Sequence, residues 1–292
     1  MRRTAAILAA LLMLAVVAAV PAEAATVHRV FTAAVGTGGG SGSTKITVYT
    51  NGSGWVNYAL KGLRGGATYR VEIRRGVCAN LGSVATRITS VRATTRGTAV
   101  FGRAISGANM NSIWSANWSS PLAIRFVSGT SIKCGNLVFP HATRVQVQGY
   151  PINLAVVRSP NSYPYCNVAM YMGALNQPQE PGVSFIFAHA RTGMFLPLLN
   201  ASKINNGAAM IGKKVYVWTS NSRLSTYKIT QVRRHVKSVQ SAVGLTAEQL
   251  WLQTSEGPNF SYPKLVIVTK RISTVAASYA ASHPKAHVVH CG

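Results

Sequence analysis

Short runs of β-branched and aromatic residues, cut again and again by Gly, Ser and Asn, constrain this chain more than any other feature. Residues 45–49 (KITVY), 54–58 (GWVNY), 68–73 (TYRVEI) and 122–126 (LAIRF) are examples. Alternation of this kind turns every second side chain to one face, which suits a half-buried strand. With turn clusters at such short spacing, residues 25–139 read as an antiparallel β-sandwich. Residues 36–43, rich in Gly and Ser, read as a loop within it, too short for a domain linker.

The N-terminus has the form of an export signal. Arg2 and Arg3 precede an apolar run from Ala5 to Val20, and Ala22-Glu23-Ala24 fits a small-x-small cleavage pattern. That run is shorter than the roughly 20 residues needed to cross a bilayer. Cleavage near Ala24 is therefore expected, with residues 1–24 removed and the chain released to the cell surface or beyond. No later segment of the sequence is apolar enough to span a membrane.

Export makes the four cysteines informative, because an oxidising compartment favours disulfides. Cys78 and Cys134 share the first half and are expected to pair there. Cys166 and Cys291 share the second half and form the other candidate pair.

Charge excludes several chemistries. Lys and Arg number 30 against 5 acidic residues, none of them Asp, for a formal net charge of +25. A paired-carboxylate glycosidase, an oxygen-ligated calcium or magnesium site and a Ser-His-Asp triad all lack their residues. The excess of positive charge fits contact with an anionic surface such as lipid headgroups or acidic wall polymers. It also fits a solubility role. No basic helix or aromatic-basic interleaving points to nucleic acid.

A new pattern begins at Pro140-His141. Residues 140–275 read as a second β-rich unit and residues 276–292 as a tail, so the chain as a whole is expected to be all-β. Residues 214–219 and 225–230 flank Ser220-Asn221-Ser222, a hairpin signal. Residues 194–199 (MFLPLL) read as a compact apolar turn. Thr246 and Glu248 form a helix N-cap pattern.

Three strand edges in this unit carry chemistry. The run at 183–188 (VSFIFA) delivers His189. Residues 249–255 (QLWLQTS) end on Thr254-Ser255, and Lys264 opens 264–268 (KLVIV). A His, a hydroxyl and a cation at strand edges are the parts of a nucleophilic transfer site. Their order resembles the sortases, cell-surface cysteine transpeptidases. Phe187-Ala188-His189-Ala190-Arg191, the segment 195–199 (FLPLL), residues 250–255 (LWLQTS) and residues 264–268 match that family's sequence of motifs, except that Ser255 stands where it has Cys and Lys264 where it has Arg.

The resemblance implies a sortase-like barrel in which the residue at 255 attacks a sorting-signal peptide carbonyl, His189 serves as acid and base, and residue 264 steadies the oxyanion. An amine from the cell wall or another protein then resolves the acyl intermediate. The expected partners are thus an extended peptide and a cell-wall amine; no cofactor is implied. Both departures fall on the chemistry. A Ser hydroxyl needs a base and an orienting group, whereas a thiol with a pKa of about 8.5 ionises readily. His189 or a neutral, buried Lys264 are the available bases. Serine acyl transfer, peptide binding without turnover, a structural surface module, and use of Cys166 as a substitute thiol are the competing readings.

Residues 63–78 with 133–137 resemble small secreted sandwiches of the chordin-repeat and copper-zinc superoxide dismutase kind. Only His28 lies in that region, so no metal chemistry carries over, and a binding or spacer module is implied. Trp114 and Trp118 read as half-buried packing or a sugar-stacking loop. His283, His287, His290 and Cys291 have ligand-like spacing, but Pro284 interrupts a helix there.

Overall fold

The computed structural model describes residues 26–37, 40–160, 164–242, 244–257 and 263–291. The expected signal peptide lies outside them. Strands β1 (Val27–Thr37), β2 (Gly40–Tyr49), β3 (Gly54–Leu60), β4 (Thr68–Val77), β5 (Asn80–Arg92), β6 (Ala99–Ile105), β7 (Leu122–Ser128) and β8 (Ser131–Leu137) make two four-stranded sheets. Their orders are β1-β2-β3-β6 and β5-β4-β7-β8, with antiparallel neighbours throughout.

Alternation does the packing. β3 buries every second residue, and its inward Val56, Tyr58 and Leu60 join Ile46 and Phe31 against Tyr69, Ile73, Ile124 and Phe126. Tyr58 and Phe126 meet edge-to-face across the two sheets at 5.2 Å. Cys78 and Cys134 are bonded to one another.

One expectation fails here. Most of residues 36–43 is strand rather than loop, because β1 and β2 stay in register as far as Thr37↔Gly40. Gly and Ser are tolerated there because backbone pairing, not side-chain packing, holds the end of a hairpin. The fold is all-β as expected, with helix α1 (Gly107–Ser119) set between β6 and β7. Ser106 caps it by accepting from the Asn109 backbone N–H. The two tryptophans therefore sit on a helix, Trp114 half-buried and Trp118 exposed.

The second half forms a closed eight-stranded barrel. Its strands are β9 (Ala142–Val147), β10 (Ile152–Arg158), β12 (Ala169–Tyr171), β13 (Val183–Phe187), β14 (Lys214–Thr219), β15 (Arg223–Val236), β16 (Gln249–Ser255) and β17 (Lys264–Ala276); the short β11 (Tyr165–Cys166) stands outside it. The barrel runs β10-β12-β13-β16-β17-β15-β14-β9, and β9 pairs with β10 to close it. β10–β12 and β13–β16 are parallel pairs. β13 is buried along most of its length, as its unbroken apolar run requires.

Between β13 and β14 lies α2 (Leu196–Lys203), with Pro197 in its first turn, longer than the single turn expected from residues 194–199. The hairpin at Ser220-Asn221-Ser222 forms as expected, with Ser222 in the left-handed region at φ 57°. No helix starts at Thr246. Glu248 accepts instead from the Gln179 backbone N–H and the Tyr227 hydroxyl, and it pairs with Arg271, so the chain enters β16 directly. In the tail, α3 (Tyr279–Ser282) precedes β18 (Val289–His290), which pairs with β11. Cys166 and Cys291 are bonded beside that pair.

Arg29, buried in β1, joins the sandwich to the barrel. Its guanidinium grips both oxygens of Glu180 at 2.6 Å each and donates to the carbonyls of Gly173 and Leu175. Trp114 and Phe139 cover its faces. Asn117 of α1 donates to the same Gly173 carbonyl, and Arg158 donates to Asn117 from the barrel side. A side chain at Gly173 would displace the Arg158 guanidinium from its place at this crossing.

Candidate active site

Strand register brings the three predicted residues to one rim of the barrel. Parallel pairing of β13 with β16 ends at Phe187↔Gln253. Ala188 N–H continues it by donating to the Gln253 carbonyl, and Thr254 Oγ1 donates back to the Ala188 carbonyl. His189 and Ser255 are the next residues of the two segments, and both line one cavity. On the other side, antiparallel β16 and β17 pair Ser255 directly with Lys264. Nζ of Lys264 donates to Ser255 Oγ at 2.9 Å.

Burial tunes two of these groups. The Lys264 pKa is lowered because its ammonium is partly withdrawn from water. The His189 pKa is lowered by burial first; a hydrogen bond to the Pro164 carbonyl works against this, and the charges of Arg191 and Lys264 add to it. His189 Nε2 lies 3.2 Å from that carbonyl, which can only accept, so the proton sits on Nε2.

Carboxylates stand elsewhere. Glu256, next to Ser255 in the chain, is held by the Arg234 side chain and the backbone N–H of His235. Glu72 is ringed by Arg70 and Arg74, Glu180 is bound to Arg29, and Glu248 to Arg271. Glu256 therefore does not orient His189.

His189, Ser255 and Lys264 line one cavity of about 790 Å³. Its walls are mostly apolar: Met170, Met172, Leu175, Phe185 and Phe187 from the barrel, with Val239 and Leu245 from the stretch before β16. The sandwich supplies the rest of the lining. Met110, Trp114 and Trp118 of α1, Tyr49 at the end of β2, and Thr50 and Gly52 of the turn after it contribute. Gly54 is what lets α1 come so near, since a Cβ there would collide with Met110. Sequence reading missed this contribution. The i, i+4 spacing of Trp114 and Trp118 behind a Ser cap was the available signal.

The tail histidines do not gather with Cys291. His283 stacks on Tyr279 at 3.8 Å, and His290 meets the edge of Tyr165. Among the described residues, ligand-type atoms come together at Cys166, His189 and Cys291, within 4.8 Å of one another, where the two sulfurs are already bonded to each other.

No protein-family model and no curated protein matches this chain. Similar solved structures include sortase A of Listeria monocytogenes, at 19% identity, 46% of this chain, 89% of that one and a TM-score of 0.38. A pilus-related sortase C of group B Streptococcus matches at 15% identity over 46% of this chain and 68% of that one, TM-score 0.38. Sortase C of Streptococcus pneumoniae matches at 14% over 47% and 70%, TM-score 0.37.

Proposed function

We propose that the chain is an exported acyl-transfer protein that uses Ser255 as nucleophile on an extended peptide, with an amine of the cell wall or of another protein as acceptor. One observation carries this reading: the 2.9 Å contact of Lys264 Nζ with Ser255 Oγ, on paired strand ends, at a cavity that His189 shares. A serine needs a base, and burial moves Lys264 towards the neutral amine that can act as one. Lys264 takes the Ser255 proton as Oγ attacks the carbonyl, and an acyl ester forms. Protonated Lys264 then hands that proton to the leaving amine, at the rim that His189 shares. The incoming amine attacks the ester and gives its proton to neutral Lys264, which returns it to Ser255 Oγ as the ester C–O bond breaks. Apolar walls supply contacts for the side chains around the scissile bond and keep water away from the ester. Two disulfides support an oxidising, exported setting.

The test is covalent capture. The chain is incubated with a fluorophosphonate and with a peptidyl aldehyde, then digested and weighed. Mass added at Ser255 in the native chain, and none in Ser255→Ala, is expected. Absence of any adduct while peptide still binds would replace this reading with peptide binding without turnover. That alternative has its own support in the bond of His189 Nε2 to a backbone carbonyl rather than to an orienting carboxylate.

A further inference from the structure

We propose that the Cys166–Cys291 disulfide is a reactive redox site that exchanges with thiols, with Cys291 the sulfur attacked and Cys166 the sulfur that leaves. This goes beyond the acyl-transfer reading and does not depend on it.

Three observations set the direction of the reaction. First, Arg191 Nη1 donates to Cys166 Sγ at 3.2 Å, so a guanidinium stands ready for negative charge on that sulfur. Second, a ring nitrogen of His189 and both sulfurs lie within 4.8 Å of one another, so the disulfide and the imidazole occupy the same spot. Third, access is unequal: Cys166 is 7% exposed, whereas Cys291 is half-buried near the end of the tail. An incoming thiolate reaches Cys291 first. A cationic donor such as Arg191 stabilises a thiolate, and a disulfide opens faster when its departing sulfur is the better anion.

The balance is simple. A thiolate of a dithiol attacks Cys291 Sγ; an S–S bond forms there, the Cys166–Cys291 bond breaks, and the electron pair leaves on Cys166. The second thiol of the same reagent loses its proton to solvent and attacks the mixed disulfide. Cys291 departs as a thiolate and is protonated. The dithiol ends oxidised and the protein disulfide reduced.

The consequence reaches the site. β18 is held to β11 by two residue pairs only, Tyr165↔His290 and Cys166↔Val289. The residue before β11 is Pro164, whose carbonyl bonds His189. Opening the disulfide therefore loosens the tail from the strand that positions His189.

The chain contains its own control. In Cys78–Cys134, as here, one sulfur is half-buried and the other is 7% exposed. The oxidised full-length chain is treated with dithiothreitol, and separately with reduced glutathione, then acid-quenched, alkylated and mapped by mass. Cys166–Cys291 is expected to open roughly tenfold faster than Cys78–Cys134, with the glutathione adduct on Cys291. Arg191→Gln is expected to slow that opening several-fold and Arg191→Lys to restore most of it, with Cys78–Cys134 unchanged. Equal opening rates, an adduct on Cys166, or no effect of Arg191→Gln would overturn the proposal. If Arg191→Gln unfolds, seen as faster opening of both bonds, the native chain's rate ratio and adduct position decide it.

Discussion

Lys264 Nζ lies 2.9 Å from Ser255 Oγ, and the two residues are direct partners across antiparallel strands. Backbone pairing thus sets their distance before any side-chain adjustment. Lys264→Met removes the amine and keeps the stem. Labelling and acyl transfer at Ser255 should fall by on the order of 100-fold or more, with the circular dichroism spectrum unchanged. The rate should rise with pH and level off below the ordinary lysine value of 10.5, because burial lowers the Lys264 pKa and the neutral amine is the active form. A rate–pH profile of Ser255 labelling checks this; a rate flat with pH would remove Lys264 as the base.

The sandwich should matter for substrate. Trp114 and Met110 line the cavity that Ser255 shares. Trp114→Ala should raise KM for a peptide substrate several-fold and leave kcat within about twofold, since the lost contact is to the substrate's body and not to the reacting atoms. A matched fall in kcat and kcat/KM would show instead that α1 acts on the chemistry.

Arg29 and Glu180 form a buried two-pronged pair with both partners nearly sealed from water. Removing one partner strands the other. Glu180→Gln or Arg29→Met should cost about 3–5 kcal/mol in urea unfolding. Arg29→Met combined with Glu180→Leu should recover a large part of that loss, because no charge is then left unpaired. Equal losses in the single and double variants would mean that the carbonyl and ring contacts of Arg29, not the ion pair, hold the junction.

Tyr58 buries its hydroxyl without a hydrogen-bond partner, and burial raises its pKa. Tyr58→Phe keeps the ring packing against Phe126 and removes an unsatisfied group. It should be neutral or stabilising by up to about 1 kcal/mol. A clear loss would reveal a bond that the hydroxyl makes in solution.

Acid should weaken the seam. The His141 pKa is lowered from 6.5 by burial, opposed by the Phe139 carbonyl and reinforced by the charges of Arg158 and Arg29. The unfolded chain therefore takes up a proton at a higher pH than the folded one. Stability from this group is complete above about 6.5 and is lost as pH falls from there through the folded value. His141→Gln should flatten that part of the pH–stability curve measured by thermal melting.

What could be read from the residues was what backbone periodicity controls. The runs before His189 and Ser255 announced buried strands, and their motif order announced one rim. Helix α1 escaped notice because its buried face is interrupted by a polar residue. Met110, Ile113 and Ala116 are apolar, yet Asn117 is equally buried, with its amide bonded to Gly173 and Arg158 across the junction. Thr246 misled for the opposite reason: a local cap pattern lost to Glu248's partners on three other segments. Arg29–Glu180 was equally hidden, since it spans the two halves of the chain and no local rule couples positions so far apart.

Parallel pairing of β13 and β16 has a consequence for how such sites vary. Residues 190–254 lie between His189 and Ser255, yet hydrogen bonds between neighbouring strands, not that excursion, bring the two strand ends to one cavity. Its surface loops are free to grow or shrink while the two strand ends stay paired. Distance along the chain is a poor ruler for finding this arrangement in other proteins; adjacency in the barrel is the property to search for.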